Sequence, residues 1–315
     1  MRRLAAAVIL AAAVLTAGCV SLPIETEQYD DIGGAYASFT ERGLTNTAVW
    51  VVWANTNAPP LPTPDPVPPV GEREYVYFDN ARCAGYGAVN YWHTLPAAEQ
   101  AAAISDAGLD VYHIELLGWA DARISPEAAR QPYLDLLAEC RQRKVVLFTS
   151  IFNDNSHLSK YGNTPRAPSL STLMQSLVYI LEAGPEGQIV QPVGETQTST
   201  GKQFETAAGA ALRQAGFKTC WNSGSRPSSP PSGWDYAAYH PTSTGKVIPK
   251  GAACVTDTGA ILVQLGGYAQ FNAAAVESYG RQCLDEWKRP CILYGFQHKA
   301  IDIDAAQALG RVKRQ

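Results

Sequence analysis

The sequence predicts an α/β fold, a (β/α)8 barrel of the TIM type over residues 74–315. Three observations predict it. Short β-prone apolar segments alternate with helix-like segments along this range. Eight of these β-prone segments can be counted, and polar or aromatic residues gather at their ends. Strands that alternate with helices pair in parallel. Eight such repeats suit a closed barrel better than an open sheet.

Each predicted element has a local reason in the sequence. The strands are short runs rich in Val, Ile, Tyr and Phe, and they are predicted at 74–80, 110–119, 145–152, 188–195, 217–223, 235–241, 252–257 and 290–297. The helices are alanine-rich or end at glycine, and they are predicted at 96–108, 125–144, 169–184, 201–216, 271–289 and 302–313. The second helix opens with Ser125 as N-cap and Pro126 at its first position. No helix is evident between the fifth and sixth strands.

The first residues have the features of an export signal. Two arginines precede an apolar stretch, 4–15, that is too short to favour a membrane span. The following Leu-Thr-Ala-Gly-Cys resembles the lipobox of bacterial lipoproteins, which implies cleavage of a signal peptide, 1–18, and acylation (palmitate) of Cys19. Val20 follows this cysteine, and a residue other than aspartate there resembles the pattern of lipoproteins sorted to the outer membrane. The resemblance implies a protein that faces the periplasm or the cell surface. An ordinary secretory signal cut nearby is the alternative.

The chain between this signal and the barrel divides into two segments. Residues 19–45 are polar and contain glycine, as expected of a tether. Residues 46–73 hold an extra strand, 47–55, and a proline-rich linker, 58–71.

Charge and cysteine content limit the classes of partner. The formal charge is −4, and removal of the two arginines in the signal peptide lowers it to −6. This acidity argues against nucleic acid and anionic lipid as partners. In an oxidising compartment Cys220 with Cys254, or Cys283 with Cys291, could form disulfides, although buried free thiols are a nearly equal alternative.

Polar and aromatic side chains follow most of the predicted strands. Active sites of such barrels lie at the carboxyl ends of the strands. The candidates there are Glu115, Trp119, Asn153, Asp154, Glu195, Trp221, Tyr239, His240, Asp257, Phe296 and Gln297. Ordinary turns also use Asp, Asn and Gly, so a solvated loop role for Glu195 and a turn or N-cap role for Asp257 remain open.

Two short motifs resemble the retaining (β/α)8 glycoside hydrolases of clan A. In that group a glutamate on the fourth strand is the acid/base, and one on the seventh is the nucleophile. "GETQ" at Glu195 is similar to the first motif, with Gly194 in place of the usual asparagine. "VTDTG" at Asp257 is similar to the second, with aspartate in place of glutamate. "YHP" at His240 resembles the residue that contacts the nucleophile, and Phe296 stands where a tryptophan often lies under the sugar.

The resemblance implies a glycosidase that acts on a β-linked oligo- or polysaccharide, with Glu195 and Asp257 as its catalytic carboxyl groups. Aspartate is one methylene shorter than glutamate, so the pair would be roughly 1–1.5 Å farther apart. An inactive carbohydrate-binding barrel is therefore the main alternative. The third hypothesis is a metal-dependent barrel hydrolase that uses His113, Glu115, His240 and Asp257. The leading hypothesis implies carbohydrate as the partner, a monomer, and neither cofactor nor metal.

Overall fold

The computed structural model describes residues 73–118, 122–153, 168–194, 198–222, 231–239, 255–256, 259–266, 273–294 and 300–315. The predicted signal peptide, tether, extra strand and nearly all of the linker lie outside these ranges. Within them, no helix is long and apolar enough to cross a membrane.

Eight parallel strands pair in a closed ring. They are β1 (Ala84–Val89), β2 (Val111–Glu115), β3 (Val146–Asn153), β4 (Gln188–Gly194), β5 (Lys218–Asn222), β6 (Tyr236–Tyr239), β8 (Gly259–Gly266) and β9 (Cys291–Tyr294). Consecutive strands pair from β1 to β6, then β6 pairs with β8, β8 with β9, and β9 with β1. The short strand β7 (Val255–Thr256) joins β8 in an antiparallel hairpin. The ring confirms the parallel α/β architecture that the alternation predicts.

Six helices are described. They are α1 (Ala97–Asp106), α2 (Pro126–Gln142), α3 (Leu170–Ala183), α4 (Ser199–Gln214), α5 (Ala273–Arg281) and α6 (Ile303–Lys313). A π-helical segment, Gln282–Glu286, continues α5. Ser125 caps α2 by accepting a hydrogen bond from the Ala128 amide, with Pro126 at the first helical position, as predicted. All six lie where the sequence predicts a helix.

The prediction of a first strand at 74–80 is wrong. These residues form no strand, and Phe78 is instead fully buried inside the ring. Its ring packs edge-on against Phe148 and Tyr236, with centroids 5.5 and 5.3 Å away. The segment has the apolar composition of a strand because it is buried. It packs in the core at the amino end of the barrel, however, and does not join the sheet.

Residues 255–256 form a strand, but it is not the seventh parallel barrel strand that the sequence predicts at 252–257. The parallel strand that completes the ring is β8, which begins at Gly259. Thr256 pairs with Gly259 in the β7–β8 hairpin. Residues 255 and 256 are therefore paired with the amino end of β8 and do not form the carboxyl end of a parallel barrel strand.

The buried apolar residues form two clusters. The inner cluster comes from alternate positions of several strands and so lines the interior of the ring; it comprises Phe78, Cys83, Val111, Val146, Phe148, Ile189, Cys220, Tyr236, Ala238 and Ile292. The outer, larger cluster lies between strands and helices. Five described cysteines, Cys83, Cys140, Cys220, Cys283 and Cys291, are buried free thiols. The disulfide considered between Cys283 and Cys291 is thus absent, and Cys254 lies outside the described ranges.

Candidate functional site

The structure describes some of the predicted site residues and not others. Glu115, Asn153 and Tyr239 are the last residues of β2, β3 and β6, and Trp221 lies in β5. These four strands run parallel, so their ends lie at one rim of the ring. The other candidates, Trp119, Asp154, Glu195, His240, Asp257, Phe296 and Gln297, lie outside the described residues. Glu195 directly follows Gly194, the last residue of β4.

Glu115 is a buried carboxylate held between two neighbouring elements. Only 3% of the residue is exposed. The Asn153 side-chain amide donates a hydrogen bond to Glu115 Oε1 at 3.3 Å. The indole Nε1 of Trp92, in the turn after β1, donates to the Glu115 backbone carbonyl at 3.0 Å. Asn153, at the end of the third strand, therefore holds the carboxylate at the rim, and Trp92 holds the Glu115 backbone.

A polar network crosses the barrel interior one layer below Glu115. His113 faces the same side of β2 as Glu115, because the two are two residues apart on a strand. His113 Nε2 is 2.8 Å from Ser150 Oγ, and Ser150 donates its hydroxyl hydrogen to Gln191 Oε1 at 2.7 Å. Since Ser150 has one hydrogen, its oxygen must accept from His113, so Nε2 carries the proton. The network links β2, β3 and β4.

Packing fixes the position of the His113 ring. The ring stacks on Phe148 with centroids 4.2 Å apart and planes 21° from parallel. Gly87 of β1 lies opposite His113 in the strand register. A Cβ built at Gly87 would be 2.2 Å from His113 Cβ, so only glycine fits this close approach.

The structure places Trp221 on the outer face of β5. Trp221 packs against the outer cluster, whereas its neighbour Cys220 belongs to the inner one. Side chains alternate along a strand, so Asn222, which is buried, faces inward with Cys220. Trp221 therefore does not serve as a sugar platform at the rim, and Asn222 is the residue of β5 that belongs to the candidate site.

Sequence reasoning missed Ser150 and Gln191. One signal was available: Ser150 and Gln191 are polar residues inside otherwise apolar strands, where a side chain needs an internal partner.

Asp257 itself lies outside the described residues, but its neighbours in the chain are informative. Thr256 and Gly259 pair at the amino end of β8. The carboxyl end of that strand is Gly266, and the residues that follow it read Gly-Tyr-Ala-Gln-Phe-Asn. The six residues after the seventh barrel strand therefore include no carboxylate.

Metal-ligating side chains do not cluster in the part of the chain that the structure describes. No group of three or more His, Cys, Asp and Glu could hold a metal ion there. His113 and Glu115 share one face of β2, but the Nε2 of His113 is engaged by Ser150. The metal-dependent alternative would need residues beyond the described ones.

No protein-family model matches the sequence, and no curated protein matches it. Solved structures with similar folds include (β/α)8 glycoside hydrolases. A family 5 glycoside hydrolase from Bacteroides vulgatus is 9% identical, with 68% of this chain and 57% of that chain covered and a TM-score of 0.49. The catalytic domain of an endoglucanase from Thermobifida fusca is 11% identical, with 68% and 78% covered and a TM-score of 0.46.

A β-mannanase from the blue mussel Mytilus edulis is 8% identical, with 74% of this chain and 92% of that chain covered and a TM-score of 0.45. A Rubisco-like protein from Rhodopseudomonas palustris is also similar, at 12% identity, with 78% and 65% covered and a TM-score of 0.42. The chain thus spans little more than half of the Bacteroides vulgatus protein. These similarities concern the fold alone.

Proposed function

We propose that this chain is a glycoside hydrolase-like barrel that acts on a β-linked oligo- or polysaccharide. The observation that carries the proposal is the buried Glu115 carboxylate, bonded by Asn153 at the carboxyl ends of two parallel barrel strands. Burial of a carboxylate is costly, and such groups concentrate at functional sites. A glutamate, Glu195, also directly follows the last residue of β4.

In this proposal Glu195 is the general acid. Hydrolysis of a glycosidic bond needs one carboxyl group that donates a proton to the leaving oxygen and a second that attacks or activates water. Amide side chains such as Asn153 and Asn222 supply hydrogen bonds to sugar hydroxyls. We do not propose Asp257 as the second carboxyl group, because its neighbours in the chain, Thr256 and Gly259, pair at the amino end of β8.

The test is hydrolysis by purified protein lacking residues 1–18, measured as reducing ends and as aryl release from a panel of β-glycosides. We expect the wild type to release sugar and Glu195→Gln to lose roughly 10²–10⁴-fold in kcat, the usual contribution of general acid catalysis. A wild type that releases nothing from a broad panel of glycans would contradict the enzymatic proposal.

A carbohydrate-binding barrel without turnover is the second candidate. The absence of a carboxylate from the six residues after β8 favours it. Titration calorimetry with the same glycans separates the two: binding without any release supports this candidate, and neither binding nor release contradicts both. Loss of activity in EDTA, restored by a divalent cation, would instead favour the metal-dependent alternative.

We further propose that the protein is anchored in the cell envelope by an acyl group on Cys19. The sequence resemblance to a lipobox supports this. Metabolic labelling with a fatty acid analogue should mark the wild type and leave Cys19→Ala unlabelled. Label that persists in the variant would contradict the anchor.

A further inference from the structure

We propose that Asn90 determines specificity at the candidate site, and that its side-chain oxygen accepts a hydrogen bond from a hydroxyl group of the bound sugar. The inference rests on the proposed function and adds a ligand contact on the first barrel strand. Asn90 directly follows β1, and its Oδ1 has no hydrogen-bond partner although only 1% of the residue is exposed. Buried polar atoms in native proteins are nearly always bonded. The exception points to a partner from outside the chain.

The strand pattern places the Asn90 side chain on the inner face of the ring. Gly85 faces inward, because a Cβ built there would be 2.8 Å from Val111 Cβ, and Val111 belongs to the inner cluster. The register of β1 shifts at a bulge between Gly87 and Val89, and Val89 belongs to the outer cluster. Side chains alternate along a strand, so the residue after Val89 faces inward again.

Asn90 is also level with Glu115 on the neighbouring strand. Val89 pairs with Ile114 in the parallel register, so the next residue of each chain segment, Asn90 or Glu115, lies beside the other. Neighbouring strands are about 4.8 Å apart. Trp92, two residues after Asn90, donates its indole hydrogen to the Glu115 carbonyl at 3.0 Å, which joins this turn to the end of β2. Asn90 therefore lies at the same rim as the candidate carboxylate.

Asn153 supplies a second buried acceptor on the other side of Glu115. Its Nδ2 donates to Glu115 Oε1, and this fixes the orientation of the amide, because a carboxylate only accepts. The remaining oxygen, Asn153 Oδ1, is buried and has no hydrogen-bond partner. Gly194 leaves space beside it: the three atoms nearest to a Cβ built there all belong to Asn153, with Oδ1 at 3.8 Å. Three neighbouring strands thus present side-chain acceptor oxygens at this rim.

These oxygens select the chemistry of the ligand. The amide oxygens of Asn90 and Asn153 only accept hydrogen bonds, so the ligand has to offer O–H or N–H groups. Sugar hydroxyls meet this requirement, and adjacent hydroxyls of one ring can donate to more than one acceptor. Ionised groups such as uronate or sulfate carry no hydrogen to donate to these oxygens. The subsite therefore favours a neutral sugar with free hydroxyl groups at this position.

The turn that carries Asn90 is held by other side chains. Gln100 of α1 is buried and donates to the backbone carbonyls of Trp92 and Leu95, at 2.9 and 3.0 Å. Tyr112 in turn donates its hydroxyl hydrogen to Gln100 Oε1 at 2.6 Å. None of these bonds uses the Asn90 side chain, so the turn should keep its shape with an apolar residue of similar size there. A buried oxygen without a partner lowers stability, and a ligand contact accounts for its presence.

The first measurement compares stability and binding in one variant of the protein lacking residues 1–18. Asn90→Leu removes the oxygen and keeps a side chain of similar size, so we expect a Tm equal to or above that of wild type without ligand. Titration calorimetry with cellotetraose, mannotetraose, xylotetraose and chitotetraose should show an affinity roughly 10–100-fold lower than that of wild type. A lower Tm with unchanged affinity would overturn the inference, because it would assign the oxygen to a structural water molecule.

The second measurement removes the donor from the ligand. In deoxyfluoro analogues of the tightest-binding glycan, each hydroxyl is replaced in turn by fluorine, which cannot donate a hydrogen bond. Wild type should bind at least one analogue roughly 10–100-fold more weakly than the parent glycan, and Asn90→Leu should bind that analogue and the parent within about threefold of each other. Equal binding of all analogues by wild type would overturn the inference. If Asn90→Leu does not fold, Asn90→Ala takes its place.

Asn80→Leu is the matched control, because Asn80 is exposed at the amino end of the barrel, where its side chain accepts from the Arg82 amide. Its affinity for glycan should stay within about twofold of wild type. If wild type binds and cleaves glycan and Asn90→Leu binds it equally well, the inference fails while the proposed function stands. If wild type neither binds nor cleaves any glycan of a broad panel, the proposed function fails, and the role of Asn90 with it.

Discussion

Substitution of Gly87 by alanine should separate strands β1 and β2, with a large loss of stability. The new Cβ would lie 2.2 Å from His113 Cβ, 2.3 Å from its carbonyl oxygen and 2.5 Å from its Cα. Ordinary carbon contacts are about 3.5–4.0 Å. These three atoms cannot rotate away, because they belong to the backbone of β2 or are fixed to it.

The ring leaves β1 little freedom to move, since it pairs with β2 on one side and with β9 on the other. We therefore expect a cost at the upper end of the overpacking range, about 3 kcal/mol. For a domain of this size that corresponds to a decrease of roughly 6–12 °C in Tm. Urea unfolding followed by circular dichroism gives the free energy, and thermal scans give the Tm.

Gly194→Ala is the matched control for this prediction. It places the same methyl group in a barrel strand, but the nearest atom, Asn153 Cγ, is 3.6 Å away, an ordinary contact. We expect its free energy of unfolding to stay within about 1 kcal/mol of wild type, since reduced freedom of the unfolded chain offsets small strain. Equal losses for Gly87→Ala and Gly194→Ala would refute the reasoning from close approach.

Two further predictions concern buried polar groups. Ser150→Ala removes the atom that links His113 to Gln191 and should lower the free energy of unfolding, measured in urea, by about 2–4 kcal/mol. The control is loss of the exposed Thr206 hydroxyl, which should change the free energy of unfolding by less than about 0.5 kcal/mol. Similar values for both variants would contradict the network. Burial raises the pKa of Asp110 although Lys313 Nζ forms a salt bridge with its Oδ1 at 2.6 Å. Asp110 therefore adds stability that is present below about pH 3.8, the usual pKa of the group, and is lost as the pH rises through its folded pKa. The free energy of unfolding of Asp110→Asn, relative to wild type, should therefore increase from pH 4 to pH 7, and a decrease would contradict the burial argument.

The alternation of strands and helices was predictable because it depends on local patterns that repeat. β2 to β6 and all six helices lie within a few residues of their predicted positions. The first strand was not predictable by the same rule. Ala84–Val89 contains two glycines, which are poor strand formers, yet β2 approaches so closely that Gly85 and Gly87 must lack side chains. Tertiary packing there overrides local propensity.

The candidate site was predictable only where a strand ended at its true position. Glu115 and Asn153 were identified because β2 and β3 were predicted close to their true positions. Their mutual hydrogen bond was not predictable, because the register pairs Glu115 with Ser150 and Asn153 lies three residues farther along β3. The seventh barrel strand was misplaced because "VTDTG" combines a β-branched residue with an acid, as a strand end does. The longer apolar run Gly259–Gly266 is the barrel strand, and Thr256 pairs with its first residue in antiparallel orientation.

Closure of the ring has a consequence for how the chain reaches its native state. β1 obtains its second partner only when residues 84–87 meet residues 291–294, roughly 200 positions later. Such non-local contacts are reached slowly, because the entropy of a long loop is lost before the contact forms. Until then β1 presents an unsatisfied edge to other molecules. Refolding yield should therefore fall steeply as protein concentration rises.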